Sequence, residues 1–284
     1  MKKVLFALLI LLVFVPSAFA ARHKVGMVER LNVTPEEFMK IITETPNIVV
    51  MANNTTRPEF SFYRSMNEMI MALEAGEIDE MLMPETVVDY MLDLHPEYVI
   101  NCIVITRDTP FLLSFGFSEK NKELAEAFNR ALAEMKRDGT LIALQGRYIM
   151  GTNTAMFEES TIANLKASVS PESIVFRKFD DAPEIKVAVT GDMPPIDYIA
   201  ADGSAQGFNA AVLAEIAKRL GLNVKLQNIE SGARAAMLAS GRSDVVFWFE
   251  HRRGSKIFHD APKGVILSEP YYEFNTFYHL KPAD

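Results

Sequence analysis

Apolar and polar positions along this chain follow two different spacings, and the two alternate. From Lys122 onward, Leu124, Phe128, Leu132 and Met135 recur at the interval of one helix face, which predicts an amphipathic helix. Short apolar runs such as "NIVVMA", "EMLM", "EYVINCIVIT" and "KVAV" predict strands, the third apolar enough to be buried on both faces. Alternating strands and helices of this length indicate an α/β fold with mostly parallel sheets.

Several predicted helices carry their own start and stop signals. Thr34, Pro35 and Glu37 form a capping box with proline at the first helical position, so a helix is expected to begin there. Farther along, Asn209 is expected to cap a helix that Gly221 ends.

A weak internal repeat links the two halves of the chain. The segments "MALEAGEIDEMLM" and "AMLASGRSDVVFW" share a helix, a glycine, an aspartate and then an apolar strand, with Gly76 matching Gly241 and Asp79 matching Asp244. Two α/β lobes built on one plan would produce this repeat. The alternative is that any helix-to-strand turn favours Gly and Asp.

The beginning of the chain has the pattern of a secretory signal peptide. Lys2 and Lys3 precede an apolar run over residues 4–15, and Ala18-Phe19-Ala20 fits a cleavage site. We expect residues 1–20 to be removed, with cleavage near Ala20; a short membrane anchor is the alternative. No later stretch approaches the length of a membrane-spanning segment, so the mature protein is expected to be soluble.

Charge and cysteine content exclude several classes of function. The formal net charge is −8 and becomes about −10 without Lys2 and Lys3, so we expect no binding to nucleic acid or anionic lipid. Cys102 is the single cysteine, and its apolar strand makes it a buried structural thiol. The five histidines have no metal-binding spacing, and no phosphate-binding loop or nucleophile motif is present, so neither a metal nor a cofactor is expected.

Residues 151–183 separate the two halves. This segment has no clear period and contains many Asn, Ser, Thr, Asp and Pro residues, with a short helix predicted around "ESTIANLKA". It is long for a loop inside a compact domain, which favours a connector that runs over the surface.

Two groups of motifs lie on either side of this connector. After it come "GDMPPIDY", "DGSAQGFNAAVLAEIAKRLGLNV", "MLASGRSDVVFW" and "LSEPYY". Before it come "HKVGMVERLNVTPEEF", "MALEAGEIDEM" and "EKNKELAEAFNRALAEMKRDGTLIALQGRYI". The chain resembles the family 3 (amino-acid type) periplasmic solute-binding proteins of ABC importers, in which the first group belongs to the N-terminal lobe and the second follows it. The order is rotated here, which implies a circular permutation.

The resemblance implies an α/β, two-lobed periplasmic-binding-protein-like fold (type II) with a ligand cleft between the lobes. Lobe B would comprise residues 22–107. Lobe A would comprise residues 108–284, including the connector and a hinge tail, 276–284. One covalent crossing would lie near residues 105–112, and the tail would supply the remnant of the other. Permutation is physically reasonable because domain termini usually lie at the surface.

The anchors that the family uses for an amino acid are only partly present. An Arg in a T-x-x-R motif usually holds the carboxylate, and counting places Lys256 there. Arg252 or Arg253 would substitute, unless "HRR" is a solvated loop. The usual ammonium-binding Asp falls at Pro84, which Glu85 follows. The departures therefore lie in the pocket, while the scaffold motifs are kept.

Other candidates follow from their places in the family pattern. Trp248 would face the cleft from a strand end, with core packing as the alternative, and Arg234 would bind ligand unless it is a surface helix residue. Helix N-termini at Thr34 and near Ser231 would suit an anion. The remaining candidate ligand-binding residues are Asp192, Ile196, Tyr198, Glu250 and His251.

The leading functional hypothesis is a periplasmic protein that captures a small polar solute, an amino acid or related carboxylate, by hinge closure. Its expected partners are that small molecule and an ABC permease in the membrane, and it is expected to be a monomer. A dehydratase-like enzyme is the second hypothesis, with Glu250 or Glu85 near Lys256 as the acid–base pair. A ligand-binding sensor module is the third. Binding is favoured over catalysis because no acid–base pair can be placed securely.

Overall fold

The computed structural model describes residues 23–29, 31, 33–44, 48–52, 58–106, 110–150, 174–252 and 261–283. The predicted signal peptide, the predicted helix around "ESTIANLKA", Arg253 and Lys256 lie outside the described residues.

The strands occur along the whole described chain. They are β1 (His23–Val28), β2 (Ile48–Ala52), β3 (Pro58–Tyr63), β4 (Glu80–Pro84), β5 (Tyr98–Thr106), β6 (Phe111–Ser118), β7 (Glu184–Val189), β8 (Asp192–Met193), β9 (Asp197–Ile199), β10 (Ala205–Gln206), β11 (Asn223–Asn228), β12 (Val245–Arg252), β13 (Val265–Leu267), β14 (Tyr272–Phe274) and β15 (Thr276–Pro282).

Helices separate most of these strands, so the predicted α/β fold is confirmed. The expectation of mostly parallel sheets is wrong, because only four of the twelve strand pairs among the described residues are parallel. They are α1 (Pro35–Glu44), α2 (Met66–Glu74), α3 (Glu85–Leu94), α4 (Lys122–Arg137), α5 (Thr140–Gln145), α6 (Phe208–Leu220) and α7 (Arg234–Ala239). Short 3₁₀ segments precede α4 and α7, and a π-helical turn (Gly146–Met150) follows α5.

Two six-stranded sheets form the centres of two lobes. The first sheet has the order β2-β5-β15-β4-β1-β3, and the second has the order β11-β7-β12-β6-β13, with β14 also paired to β6. We call the first sheet with α1–α3 the first lobe, and the second sheet with α4–α7 the second lobe. A small three-stranded sheet, β10-β9-β8, contains a hairpin around Asp202-Gly203, between β9 and β10.

The two sheets share one plan. In the second sheet, β11, β7 and β12 are parallel neighbours, followed by the antiparallel strand β6 and then β13. In the first sheet, β3, β1 and β4 are parallel neighbours, followed by the antiparallel strand β15 and then β5. The internal repeat seen in the sequence therefore corresponds to equivalent segments, α2 to β4 and α7 to β12.

The repeated aspartates have the same structural role in both lobes. The Asp79 carboxylate accepts a hydrogen bond from the backbone N–H of Lys24 at 2.7 Å, and the Asp79 N–H donates to the Lys24 carbonyl at 2.9 Å. Asp244 makes the same two bonds with Lys186, both at 2.8 Å. Asp79 thus joins the start of β4 to β1, and Asp244 joins the start of β12 to β7.

Each sheet receives its antiparallel strand from the other half of the chain. β6 follows directly on β5 of the first sheet, and β15 follows on β14 of the second. The tail 276–284, which was expected to belong to lobe A and to supply the remnant of a crossing, pairs through residues 276–282 with β4 and β5 of the first sheet. Phe111, Phe274 and Phe277 pack together beside these crossings, with ring centroids 4.8 to 5.8 Å apart.

Local predictions held in most places and failed in two. The capping box is confirmed, since the Thr34 N–H donates to the Glu37 carboxylate and the Glu37 N–H donates to the Thr34 hydroxyl. Asn209 is not a cap: it lies buried inside α6, and Gly207 occupies the cap position. β5 is not buried on both faces, because Val99 and Ile100 near its start are exposed.

Cys102 is buried, as predicted. Burial raises the pKa of its thiol to about 11, with the Glu80 carboxylate adding to the effect. Among the described residues, no helix is both long enough and apolar enough to span a membrane.

Candidate functional site

A cavity of about 50 Å³ lies between the two lobes, close to the crossings. This is room for a few water molecules. Twelve of its fifteen lining residues are apolar or aromatic, and three are charged. The first lobe, which includes β15, contributes Met27, Val28, Glu29, Met66, Leu82, Met83, Pro84 and Phe277. The second lobe contributes Leu113, Met193, Ile196, Arg234, Trp248, Glu250 and Phe274.

The cavity lies where strands end. Met27 to Glu29 complete or follow β1, and Leu82 to Pro84 complete β4, which is parallel to β1. The carboxyl ends of parallel strands meet at one edge of a sheet, where open α/β sheets bind their ligands. Trp248 and Glu250 reach the cavity from the equivalent strand of the second lobe, β12.

Methionine is prominent in the lining. Met27 and Met66 in the first lobe, Met83 at the end of β4 and Met193 in the second lobe surround the same space. Methionine side chains are unbranched and polarizable, so a wall built from them can repack around solutes of different shape.

Arg234 is the most constrained charged group at the site. Its side chain is fully buried, and its guanidinium donates to the carbonyls of Ser231 at 2.8 Å and Trp248 at 3.1 Å. A third bond, at 3.4 Å, reaches the carbonyl of Glu29 in the first lobe. The guanidinium carbon also lies 4.1 Å from the centre of the Trp248 ring. Arg234 is therefore not a surface residue, and at least three of its hydrogen bonds go to backbone carbonyls.

Trp248 connects the cavity to a buried polar group behind it. Its indole N–H donates to the Thr190 hydroxyl at 3.3 Å, and that hydroxyl donates to the Asp197 carboxylate at 2.8 Å. Asp197 is fully buried, and this burial raises the pKa of its carboxyl to about 6, against the lowering effect of its hydrogen bonds with Thr190. The network orients the indole from the side away from the cavity.

Asp192 joins the two lobes directly. Its carboxylate accepts a hydrogen bond from the backbone N–H of Met66, the first residue of α2, at 2.8 Å. Burial raises the pKa of the Asp192 carboxyl, and the Met66 hydrogen bond opposes this increase.

The other predicted residues divide between the cavity and its surroundings. Ile196, Trp248, Glu250 and Arg234 line the cavity, and Ile196 is fully buried. Tyr198 lies on β9 opposite Asp192 and is not among the lining residues.

Four more candidates lie away from the lining. His251 forms a hydrogen bond of 2.8 Å with the Ser114 hydroxyl, and Arg252 is buried near the end of β12 rather than in a solvated loop. Thr34 is exposed and serves its own helix cap. Glu85 begins α3, where burial raises its pKa against a hydrogen bond with Thr276.

The lining suits a small molecule whose few polar groups meet charged side chains and whose remaining atoms meet apolar side chains. Among the described residues, no cluster of three or more His, Cys, Asp or Glu side chains is suited to a metal ion. Glu85 and Glu250, the predicted general-acid candidates, do not share the cavity lining.

Pro84, where the family pattern places the ammonium-binding Asp, lines the cavity, whereas Glu29, Met66, Leu82 and Met83 had not been predicted to face the ligand. The strand-end rule offered a signal for most of them, because they follow or complete β1 and β4. Met66 had no such signal, because it starts a helix and reaches the cavity only through the arrangement of the two lobes.

One family model matches part of the chain. Residues 185–254 match the family described as bacterial extracellular solute-binding proteins, family 3. This stretch runs from β7 to just beyond β12 and includes Arg234, Trp248 and Glu250. No curated protein sequence matches the chain.

Several solved structures resemble this chain, with TM-scores below 0.5. The zinc-bound ligand-binding component of an ABC-type import system from Staphylococcus aureus is 8% identical, with a TM-score of 0.42, covering 92% of this chain and 65% of that one. The tungstate ABC transporter from Geobacter sulfurreducens is 11% identical, with a TM-score of 0.42, covering 93% of this chain and 85% of that one. The L-cystine solute receptor of Neisseria gonorrhoeae is 28% identical, with a TM-score of 0.22, over 24% of this chain and 28% of that one.

The chain spans less than two thirds of the length of the Staphylococcus aureus and Neisseria gonorrhoeae proteins. With TM-scores this low, the ligands in those structures are not transferred to this protein.

Proposed function

We propose that this protein is a periplasmic solute-binding protein of an ABC importer, which captures a small polar solute by closing two lobes around it. The observation that carries the proposal is a cavity lined from both lobes and placed beside two covalent crossings. A pair of crossings is a hinge, and hinge closure would enclose a solute at this position.

The family match supports this function for the second lobe. The match begins at residue 185, after β1–β5 and α1–α3 of the first lobe, and the two sheets have equivalent strand orders. Both observations support a circularly permuted chain, in which the first lobe precedes the segment that opens the family's pattern.

We propose an amino acid or a related carboxylate as the solute class. The carboxylates of Glu29 and Glu250 at the lining suit a protonated amine. The proposed carboxylate anchor is Arg252 or Arg253, which follow the lining residue Glu250 along the chain. The proposal also includes a membrane permease as partner, secretion through the signal peptide, and a monomeric state.

A solute screen read by thermal unfolding tests this function. Amino acids, amines, carboxylates and oxyanions are added singly to the purified protein. A binder at a hundredfold excess over its Kd adds about 2.7 kcal/mol to the free energy of unfolding, which raises the melting temperature. We expect an amino acid or carboxylate to do so.

Matched variants locate the binding. Glu250→Gln alters the cavity, whereas Glu269→Gln alters an exposed residue of the same lobe. The stabilisation by solute is expected to be smaller in Glu250→Gln and unchanged in Glu269→Gln. An equal effect in both variants would move the site away from this cavity, and a stabilising solute from another class would overturn the proposed solute class.

A further inference from the structure

Residues of the first lobe satisfy only part of the hydrogen bonding at the N-terminus of helix α2. Ser65 is the N-cap, and its hydroxyl accepts from the backbone N–H of Glu68 at 3.2 Å. The N–H of Met66, the first helical residue, has no partner within the helix, because the first N–H groups of any helix lack an intrahelical acceptor. Asp192 supplies that acceptor from the second lobe, at 2.8 Å.

Other contacts between the lobes surround this one. The backbone N–H of Ser231 donates to the carbonyl of Arg64 at 3.1 Å, directly before the cap of α2. The Arg234 guanidinium, also in the second lobe, reaches the carbonyl of Glu29 in the first lobe. The carboxylate of Glu29 also lies close to Gly232, where an added Cβ would come within 2.2 Å of a carboxylate oxygen.

Each lobe places one acidic residue against the other lobe, and the two acidic residues occupy equivalent positions. Asp192 follows β7 and Glu29 follows β1, and these two strands occupy equivalent places in their sheets. Each acidic residue lies against the start of the helical segment that precedes the third parallel strand of the other lobe.

We propose that Asp192 is an interlobe latch, whose carboxylate completes the N-terminal cap of α2 across the cleft and favours the arrangement that encloses the cavity. The anionic form is suited to this place because helix N-termini attract negative charge. The site is partly buried, so water and salt screen the interaction less than at the surface.

The latch has a consequence for solute recognition. Both of its partners belong to the protein, so it acts independently of which solute the cavity binds. It also engages the Met66 N–H, one of the N-terminal N–H groups of this helix that could otherwise bind an anion. Asp192 is therefore a positioning residue for the lobes rather than a direct contact of the solute.

Two variants remove the latch from opposite sides. Asp192→Ala removes the acceptor. Met66→Pro removes the donor, and proline is well tolerated at the first position of a helix. Met66→Ala is the matched control, since it shortens the same side chain and keeps the N–H. Far-UV circular dichroism and a cooperative unfolding transition verify that each variant folds.

Small-angle X-ray scattering of the purified protein and its folded variants then measures lobe opening. We expect a larger radius of gyration in Asp192→Ala and in Met66→Pro than in the unmodified protein and in Met66→Ala. An unchanged radius in the folded latch variants would overturn the proposal. Equal opening in Met66→Pro and Met66→Ala would also overturn it, because the side chain rather than the N–H would then hold the lobes.

Discussion

Replacing Arg234 by Met tests whether this buried cation is part of the scaffold or a free ligand anchor. Met keeps much of the side-chain volume but removes the donors to the carbonyls of Ser231, Trp248 and Glu29. Each buried carbonyl that loses its donor costs about 1–3 kcal/mol. Against this loss, a buried guanidinium carries a desolvation penalty of several kcal/mol, which the substitution relieves.

The balance predicts that Arg234→Met lowers the free energy of unfolding by about 2–4 kcal/mol. For a chain of this size, each kcal/mol corresponds to about 2–4 °C, so the melting temperature is expected to fall by about 4–16 °C. A ligand anchor with unused donors would behave differently, because its removal would relieve a desolvation penalty and leave few carbonyls without a donor.

Urea unfolding followed by fluorescence provides the assay. Trp248 is the single tryptophan of the chain, and its ring lies against Arg234, so its emission reports on this site. Arg242→Ala is the control, since Arg242 is exposed in the turn before β12 and its loss is expected to cost less than about 0.5 kcal/mol. If Arg234→Met were as stable as Arg242→Ala, the scaffold role of Arg234 would be refuted.

Three further predictions concern the scaffold. Asp79→Ala and Asp244→Ala are expected to cost similar amounts, about 1–2 kcal/mol each in urea unfolding, because each frees an equivalent strand-end N–H; sensitivity at only one site would contradict the shared plan. The raised pKa of Asp197, about 6 against an ordinary 3.8, means that the folded state binds more protons between these values. The contribution of Asp197 to stability should therefore fall by roughly 2 kcal/mol as pH rises from 4 to 7, and Asp197→Asn should weaken the pH dependence of urea unfolding by about that amount. Gly116→Ala would place a methyl group within 2.1 Å of the Phe249 ring and is expected to cost about 1–3 kcal/mol in thermal unfolding; unchanged stability would show that the ring moves freely.

Much of the secondary structure could be predicted because its signals are local. The capping box at Thr34 and Glu37 and the amphipathic helix from Lys122 each depend on residues within a few turns of one another. Asn209 shows the limit of such signals. Its residue type suits a cap, yet α6 begins one residue earlier, and Asn209 is buried inside it.

The candidate site was predicted less completely. Trp248, Glu250 and Ile196 were proposed from strand ends and motif positions, and they line the cavity. Arg234 was open between ligand binding and a surface position, and the structure shows a third arrangement, in which backbone carbonyls surround its guanidinium. Burial of this kind depends on residues far away in the chain.

The sequence by itself determined the helices, the strands and the repeated plan of the two halves, since periodicity, caps and turns act over short distances. Only the tertiary structure decided that β15 joins the first sheet and that Asp192 caps α2 across the cleft. These pairings join segments separated by more than a hundred residues along the chain. They depend on which sheet edges and unpaired backbone N–H groups remain available once each lobe has formed. A local sequence pattern contains no information about these groups.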